Sequence, residues 1–329
     1  MCTGKKIRSR IGVLVATGLL CLTLFSQCSV YTNRSSSRLV STTGYSRVFR
    51  VGGLPINFIM GVTCNDSRKL VALYNRGGVL SFPRREVLVF NIQSWRLVRK
   101  LSLPYDPDFL SFSSDGSRFV CSNGRRLTAW STDTWRPTEI SLAGKIISYV
   151  SDDNIVMWKN DSLVVASMVN SRQRAIPTSL VNASDIDVSD KRGVIAVCYP
   201  GYIKIFDICT GRRQKSIRAA AEFIEFSQTG KLLAVGVAAP NSAVQVWDTR
   251  TWQLLYSTSK FGRDIDFSPC DSMVVTVEDQ VYLREALSGK EVLRIPAYPY
   301  SAGFCGDPSL VWMLYDDGRC EFWRIASGN

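Results

Sequence analysis

The chain is predicted to be an all-β, seven-bladed β-propeller. Three observations predict this: a strand signal repeated seven times, a spacing near 40 residues, and an N-terminal segment that supplies what the last repeat lacks. The repeated signal is a short apolar strand closing on an anchor residue. Its copies are VLVFNIQSW (87–95), LTAWSTDTW (127–135), LVVASMVNS (163–171), IKIFDICTG (203–211), VQVWDTRTW (244–252), VYLREALSG (281–289) and CEFWRIASG (320–328). The anchors Phe90, Trp130, Ala166, Phe206, Trp247, Arg284 and Trp323 stand 40, 36, 40, 41, 37 and 39 residues apart. A second signal precedes each anchor, strongest as FSSDGSRFV from Phe112, FSQTGKLLAV from Phe226 and FSPCDSMVV from Phe267. Weaker copies sit at Val62, Val150, Val188 and Phe304. A period of this length, made of short alternating strands and Gly/Asp turns, is the pattern of four-stranded antiparallel blades around one axis.

The last repeat ends its third strand at Ile325, with only Ala-Ser-Gly-Asn left. GYSRVFRV (44–51), ahead of the first repeat, matches a fourth strand such as SWRLVRKL (94–101). Residues 46–51 are therefore expected to complete the last blade and remove an open sheet edge. Asn123-Gly124 and Asp317-Gly318 read as hairpin pairs with both central residues at positive φ, and Asp115-Gly116 as a turn in blade two.

Phe-Ser-x-Asp-Gly followed by a strand ending in Trp-Asp resembles the WD-repeat family, over nearly all of the chain after residue 45. The family's Gly-His dipeptide cannot occur, because the chain has no histidine. Asp317, Glu278 and Asn241 lie six residues before Trp323, Arg284 and Trp247, where the family places its turn Asp. The resemblance implies a non-catalytic interaction module that docks a protein partner on one face.

Three regions follow. Residues 1–28 combine a basic start (Lys5, Lys6, Arg8, Arg10) with the apolar run 11–25, too short for a spanning helix of about 20 residues. They read as an export signal or membrane anchor. Phe25-Ser26-Gln27-Cys28 resembles a lipoprotein cleavage box with Cys28 as the lipidated residue, though Phe25 and Gln27 depart from it. Residues 29–44, rich in Ser, Thr and Arg, read as a flexible tether, and 45–329 as the propeller. The expected location is periplasmic or at the cell surface.

The net charge of +12 falls to about +8 once the four cations of the signal are subtracted. That excess suits either a solubilising surface or contact with anionic envelope polymer. Nucleic acid is not expected, since no basic block of recognition type occurs. Outside the first 28 residues, Cys64, Cys121, Cys198, Cys209, Cys270, Cys305 and Cys320 lack zinc-type spacing. Cys64, Cys270 and Cys305 fall near equivalent turns, so one bridge among them is conceivable. Absence of histidine removes imidazole bases, Ser-His-Asp systems and His-ligated metals.

Three candidate sites remain. Asp187, Glu225 and Asp266, with Asp185 and Asp264 two positions earlier, are expected on innermost strands beside the channel. There they would hold calcium, contact a basic group, or point between blades and pair locally. Calcium there would make the chain an exported hydrolase or lactonase; otherwise no cofactor is expected. Trp95 and Trp135 occupy equivalent turns of neighbouring blades, either forming one aromatic patch or folding over sheet edges. Loops leading into new blades carry Tyr105, Asp106 and Asp108, Arg263, and Tyr298 and Tyr300, a Pro-stiffened surface suited to a partner or simply turn chemistry. The insertion 75–85 is the most irregular loop.

Overall fold

A computed structural model of the chain describes residues 45–52, 58–76, 85–113, 115–140, 144–151, 154–170, 172–176, 178, 180, 182–237, 243–259, 262 and 264–326. The export segment with Cys28, the tether, Arg263, Asn241 and residues 77–84 of the insertion lie outside them.

Short runs rich in Val, Ile and Leu favour pleated, packed strands over helix. Among the described residues they form seven four-stranded sheets, each strand antiparallel to its neighbour. Blades 1 to 6 cover 59–102, 109–140, 145–176, 185–218, 221–257 and 264–295, and blade 7 joins 301–325 to the N-terminal strand Tyr45–Gly52. Within a blade the first strand lies innermost and the fourth is the outer edge.

Burial falls off outward because blades are wedged together near the axis and splay at the rim. The second strands Leu70–Asn75, Val194–Tyr199 and Leu232–Val237 are buried at every position. The outer strands Leu97–Ser102 and Arg213–Arg218 bury one residue each, Leu101 and Ile217. The core is accordingly divided into seven seams, one per pair of adjacent blades. Leu110, Phe112 and Phe119 pack against Ala72 and Val89 between blades 1 and 2, and Phe267 meets Phe223 between blades 5 and 6. Fully burying such a side chain stabilises by about 1.5–3 kcal/mol.

Three devices close the ring, two within blade 7 and one across its seam with blade 1. Tyr45–Gly52 pairs along its length with Arg319–Ile325, with a bulge between Arg47 and Phe49. The Arg47 guanidinium donates to the buried Glu321 carboxylate at 2.9 Å. Cys64 of blade 1 and Cys305 of blade 7 form a disulfide, with Cα atoms 5.4 Å apart. The sequence left three cysteines open for such a bridge; Cys270 is the one left free and exposed.

The hairpin turns depart from the expected mirror-image type. Gly318 and Gly124 adopt φ of 74° and 75°, but Asn123 and Asp317 stay out of the left-handed region. The Gly318 amide donates to Tyr315 O and the Tyr315 amide to Arg319 O, a longer loop needing one left-handed residue. Cross-links closing long loops typically contribute about 2–4 kcal/mol. Cys64→Ser/Cys305→Ser is expected to lower urea-unfolding stability by that amount, and dithiothreitol should then leave the variant's midpoint unchanged while lowering the wild type's.

Candidate functional site along the channel and the loop face

The inner edge of each first strand exposes backbone amides that no further strand pairs with, and a buried amide needs a partner. Asp185 and Asp187 stand two residues apart, on one side of the strand Asp185–Ser189. Their Oδ2 atoms accept from the amides of Ile224 (3.0 Å) and Phe226 (2.6 Å), on the first strand of blade 5. Blade 6 repeats the arrangement toward blade 7. Asp264 Oδ2 accepts from Ser301 Oγ (2.6 Å) and the Ala302 amide (3.2 Å), and Asp266 Oδ2 from the Phe304 amide (2.8 Å).

Four of the five channel carboxylates are thus two clamps, each gripping the next blade. Of the alternatives open to these acids, these four take the one in which they point between blades and pair locally, because the neighbouring strand edge offers amide donors. Glu225, in the intervening blade, is half-buried. Among the described residues, no three acidic or cysteine side chains gather closely enough to hold a metal ion.

A second set of polar contacts surrounds the anchor positions. In blade 6, Arg284 replaces the aromatic anchor and is buried. It donates to Glu278 Oε1 at 2.7 Å and Thr276 Oγ1 at 2.5 Å, with the Tyr282 ring 4.5 Å from its guanidinium. Glu278 thus bonds the anchor six residues on. Asp317 does not bond Trp323: it pairs with Arg319 near the surface, at 3.2 Å. The Trp323 indole instead donates to Glu321 (3.2 Å) and that of Trp247 to Gln245 (3.3 Å), acceptors two residues back on the same strand. Glu321 also accepts from Tyr315 and lies near Arg319, so a single buried acid ties the anchor, the turn and the closing strand.

Trp95 and Trp135 do not share a patch. Both, with Trp252, adopt φ near 55° (54°, 56° and 56°) at the turn position that Gly211 and Gly289 fill elsewhere. That backbone directs each ring onto the seam with the preceding blade. Trp95 stacks on Phe49 (4.6 Å between centroids) and meets Phe322 (4.8 Å) in the seam of blades 7 and 1. Trp135 lies 6.5 Å from Phe119 in the next seam. At Gly289 a Cβ would come within 2.5 Å of the Tyr256 ring, so there the preceding blade supplies the aromatic.

The loop residues separate in the same way. Tyr105 is buried, its hydroxyl donating to Cys121 O and paired with Thr128 Oγ1, both at 3.0 Å. Tyr300 packs into the seam of blades 7 and 1, and burial pushes its hydroxyl well above the usual range. Tyr105 is buried and Tyr300 half-buried, each at the apolar end of a seam. Tyr298, by contrast, is 71% exposed. Asp106 is partly exposed; it accepts from Tyr74 Oη at 2.5 Å and sits beside Arg85 (3.3 Å) and Arg76 (3.8 Å). Burial raises the Asp108 carboxyl above its ordinary value, against the pull of Lys145. Sequence reasoning missed Tyr74 and Glu321, and placed Arg85 only as part of the irregular insertion. Only Glu321, an acid inside an apolar strand, carried a signal that could have found it.

The comparisons agree on architecture. The β-propeller domain of Cps50 (Swd1) from Myceliophteria thermophila is similar with a TM-score of 0.69 and 11% identity, covering 86% of this chain and 100% of that one. A chain from the mitotic checkpoint complex is similar with a TM-score of 0.66 and 12% identity, covering 95% and 100%. The likeness is one of fold. No family model matches the chain, and no curated protein sequence does.

Two predictions follow from these contacts. Hydrogen bonds to a charged group contribute about 1.5–3 kcal/mol, so Asp187→Ala and Asp266→Ala should each destabilise by that much in urea unfolding. Because the clamps lie on separate seams, the double variant should be additive within about 0.5 kcal/mol. Stabilisation by either single variant would instead indicate mutual repulsion at one site. Arg284→Ala, which strands the buried Glu278, should cost about 3–5 kcal/mol, with Arg284→Ala/Glu278→Ala recovering part of it.

Proposed function

We propose that this chain is a non-catalytic interaction module, exported and held at a membrane by its N-terminal segment, that docks a protein partner on its loop face. The observation that carries the reading is the engagement of the channel acids. Asp185, Asp187, Asp264 and Asp266 spend their carboxylates on the backbone of the next blade. Their role is then to hold loops in fixed relation, and a preorganised surface binds without the cost of ordering itself.

Tyr298 and the Asp106–Arg85 cluster are the contact groups this reading assigns on that face. The similar chain from the mitotic checkpoint complex is itself part of an assembly. The Cys64–Cys305 disulfide suits an oxidising compartment, in keeping with the basic-then-apolar start and with Cys28 as the attachment point. Crosslinked pull-down of the full-length protein from its own membranes tests the module. A reproducible partner, reduced at least tenfold by Tyr298→Ala, is expected; failure to recover any partner, with a calcium-dependent rise in melting temperature, would overturn it. Cys28→Ser should move the protein from the membrane to the soluble fraction.

A further inference from the structure

The outer strand of blade 4, Arg213–Arg218, carries more cations than any other described blade edge. It reads RQKSIR, with three cations, no acid, and only Ile217 buried. Elsewhere most of the edge cations are engaged within the protein, Arg99 of blade 1 being the exception. Lys100 in blade 1 pairs with Glu86 at 2.8 Å, and Arg294 in blade 6 with Glu291 at 3.1 Å. Arg47 and Arg50 of the closing strand face Glu321 at 2.9 and 4.0 Å. Arg174 of blade 3 donates to the carbonyl oxygens of Cys209 and Ile208. The outer strands of blades 2 and 5, Pro137–Ile140 and Gln253–Ser257, carry no cation at all.

Arg213, Lys215 and Arg218 form no ion pair with any described residue. Asp207, the acid at the adjoining turn, is committed to Thr210 and Gln214. One strand inward, the Lys204 amine stands 4.7 Å from the centre of the Tyr199 ring and 5.1 Å from that of Tyr202, extending the positive strip.

We infer that this edge is a docking site for an acidic, extended peptide segment of a partner protein, which adds to blade 4 as a fifth strand. The strand lies at the end of its sheet, so one row of its backbone donors and acceptors has no strand partner. A bulge between Arg213 and Lys215 puts Arg213 and Arg218 on one side of the strand, opposite Phe206 and Tyr202, and Lys215 on the other, opposite Ile205. Acidic residues at alternate positions of an incoming strand would share one side and meet Arg213 and Arg218 there. A second copy of this chain is disfavoured at the same edge, because the two sets of cations would oppose each other. The inference rests on the interaction-module reading and adds the partner's chemistry and a rim surface apart from the loop face.

The test uses the full-length protein and a fluorescein-labelled twelve-residue peptide of alternating Glu and Val, followed by fluorescence anisotropy. Saturable binding that weakens with salt is expected. Affinity should fall at least tenfold in Arg213→Glu/Lys215→Glu/Arg218→Glu, by a smaller factor in the matching Gln variant, and not at all in Arg99→Glu. A peptide of the same charge with Pro at every third position should bind at least tenfold more weakly. Amide hydrogen exchange across 213–218 should slow only with the uninterrupted peptide.

Absence of binding overturns the inference. So does equal binding of the proline-interrupted peptide or of dextran sulfate with exchange unchanged, since that describes a surface for anionic polymer rather than a strand site. The membrane pull-down separates this from the parent reading. A partner captured equally by wild type and the triple Glu variant, with no peptide binding, removes this edge and leaves the module standing.

Discussion

Burial on both faces is the constraint on which the rest of the structure depends. A second strand such as Val194–Tyr199 has no solvent side, so no blade can satisfy its own hydrophobic surface, and each is stable only between two neighbours. Six seams form from consecutive segments of chain. The seventh must join residues far apart in sequence; the Cys64–Cys305 bridge crosses it, and the closing strand and the Arg47–Glu321 pair complete the blade beside it. The reinforcement sits where loop-closure entropy is greatest.

The same geometry sets a polar problem at the axis. Stacking blades around a ring leaves each first strand with an unpaired inner edge, and backbone amides there must find acceptors. Asp185, Asp187, Asp264 and Asp266 are acceptors supplied by the preceding blade, and their recurrence at equivalent positions in alternate blades follows from that need. Acids lining up on innermost strands leave calcium, a basic group or local pairing open when only sequence is considered. Their partners make them part of the ring's backbone hydrogen bonding.

Much of the architecture was legible in the sequence because it is written in local periodicity. Strand count, blade spacing and the missing fourth strand follow from pattern alone, and Glu278 could be placed opposite Arg284 by offset. The cysteine pairing was narrowed to three residues. What was not legible depends on the neighbouring blade. Tyr105 and Tyr298 lie in similar Pro-containing loops, yet one turns into a seam and the other into solvent. Trp95 turns onto Phe49 because its backbone is left-handed, while Gly289 must stay glycine because Tyr256 already fills the space. Such choices rest on residues 40 or more positions away, and no local window contains them.

The closing strand carries a consequence for how the protein is made. Tyr45–Gly52 emerges from the ribosome before the other described strands, yet its strand partner among the described residues, Arg319–Ile325, emerges after all of them. Through nearly the whole of synthesis this segment, with Val48, Phe49 and Val51, waits as an unpaired apolar strand beside a growing arc whose terminal blades are each missing a neighbour. Partly built chains present two sticky ends at once, a state open to aggregation and to pairing with the wrong copy. A chain of this design gains from being kept unfolded until complete, so the order of its strands favours a route in which holding proteins deliver the finished polypeptide and the ring shuts in a single late step.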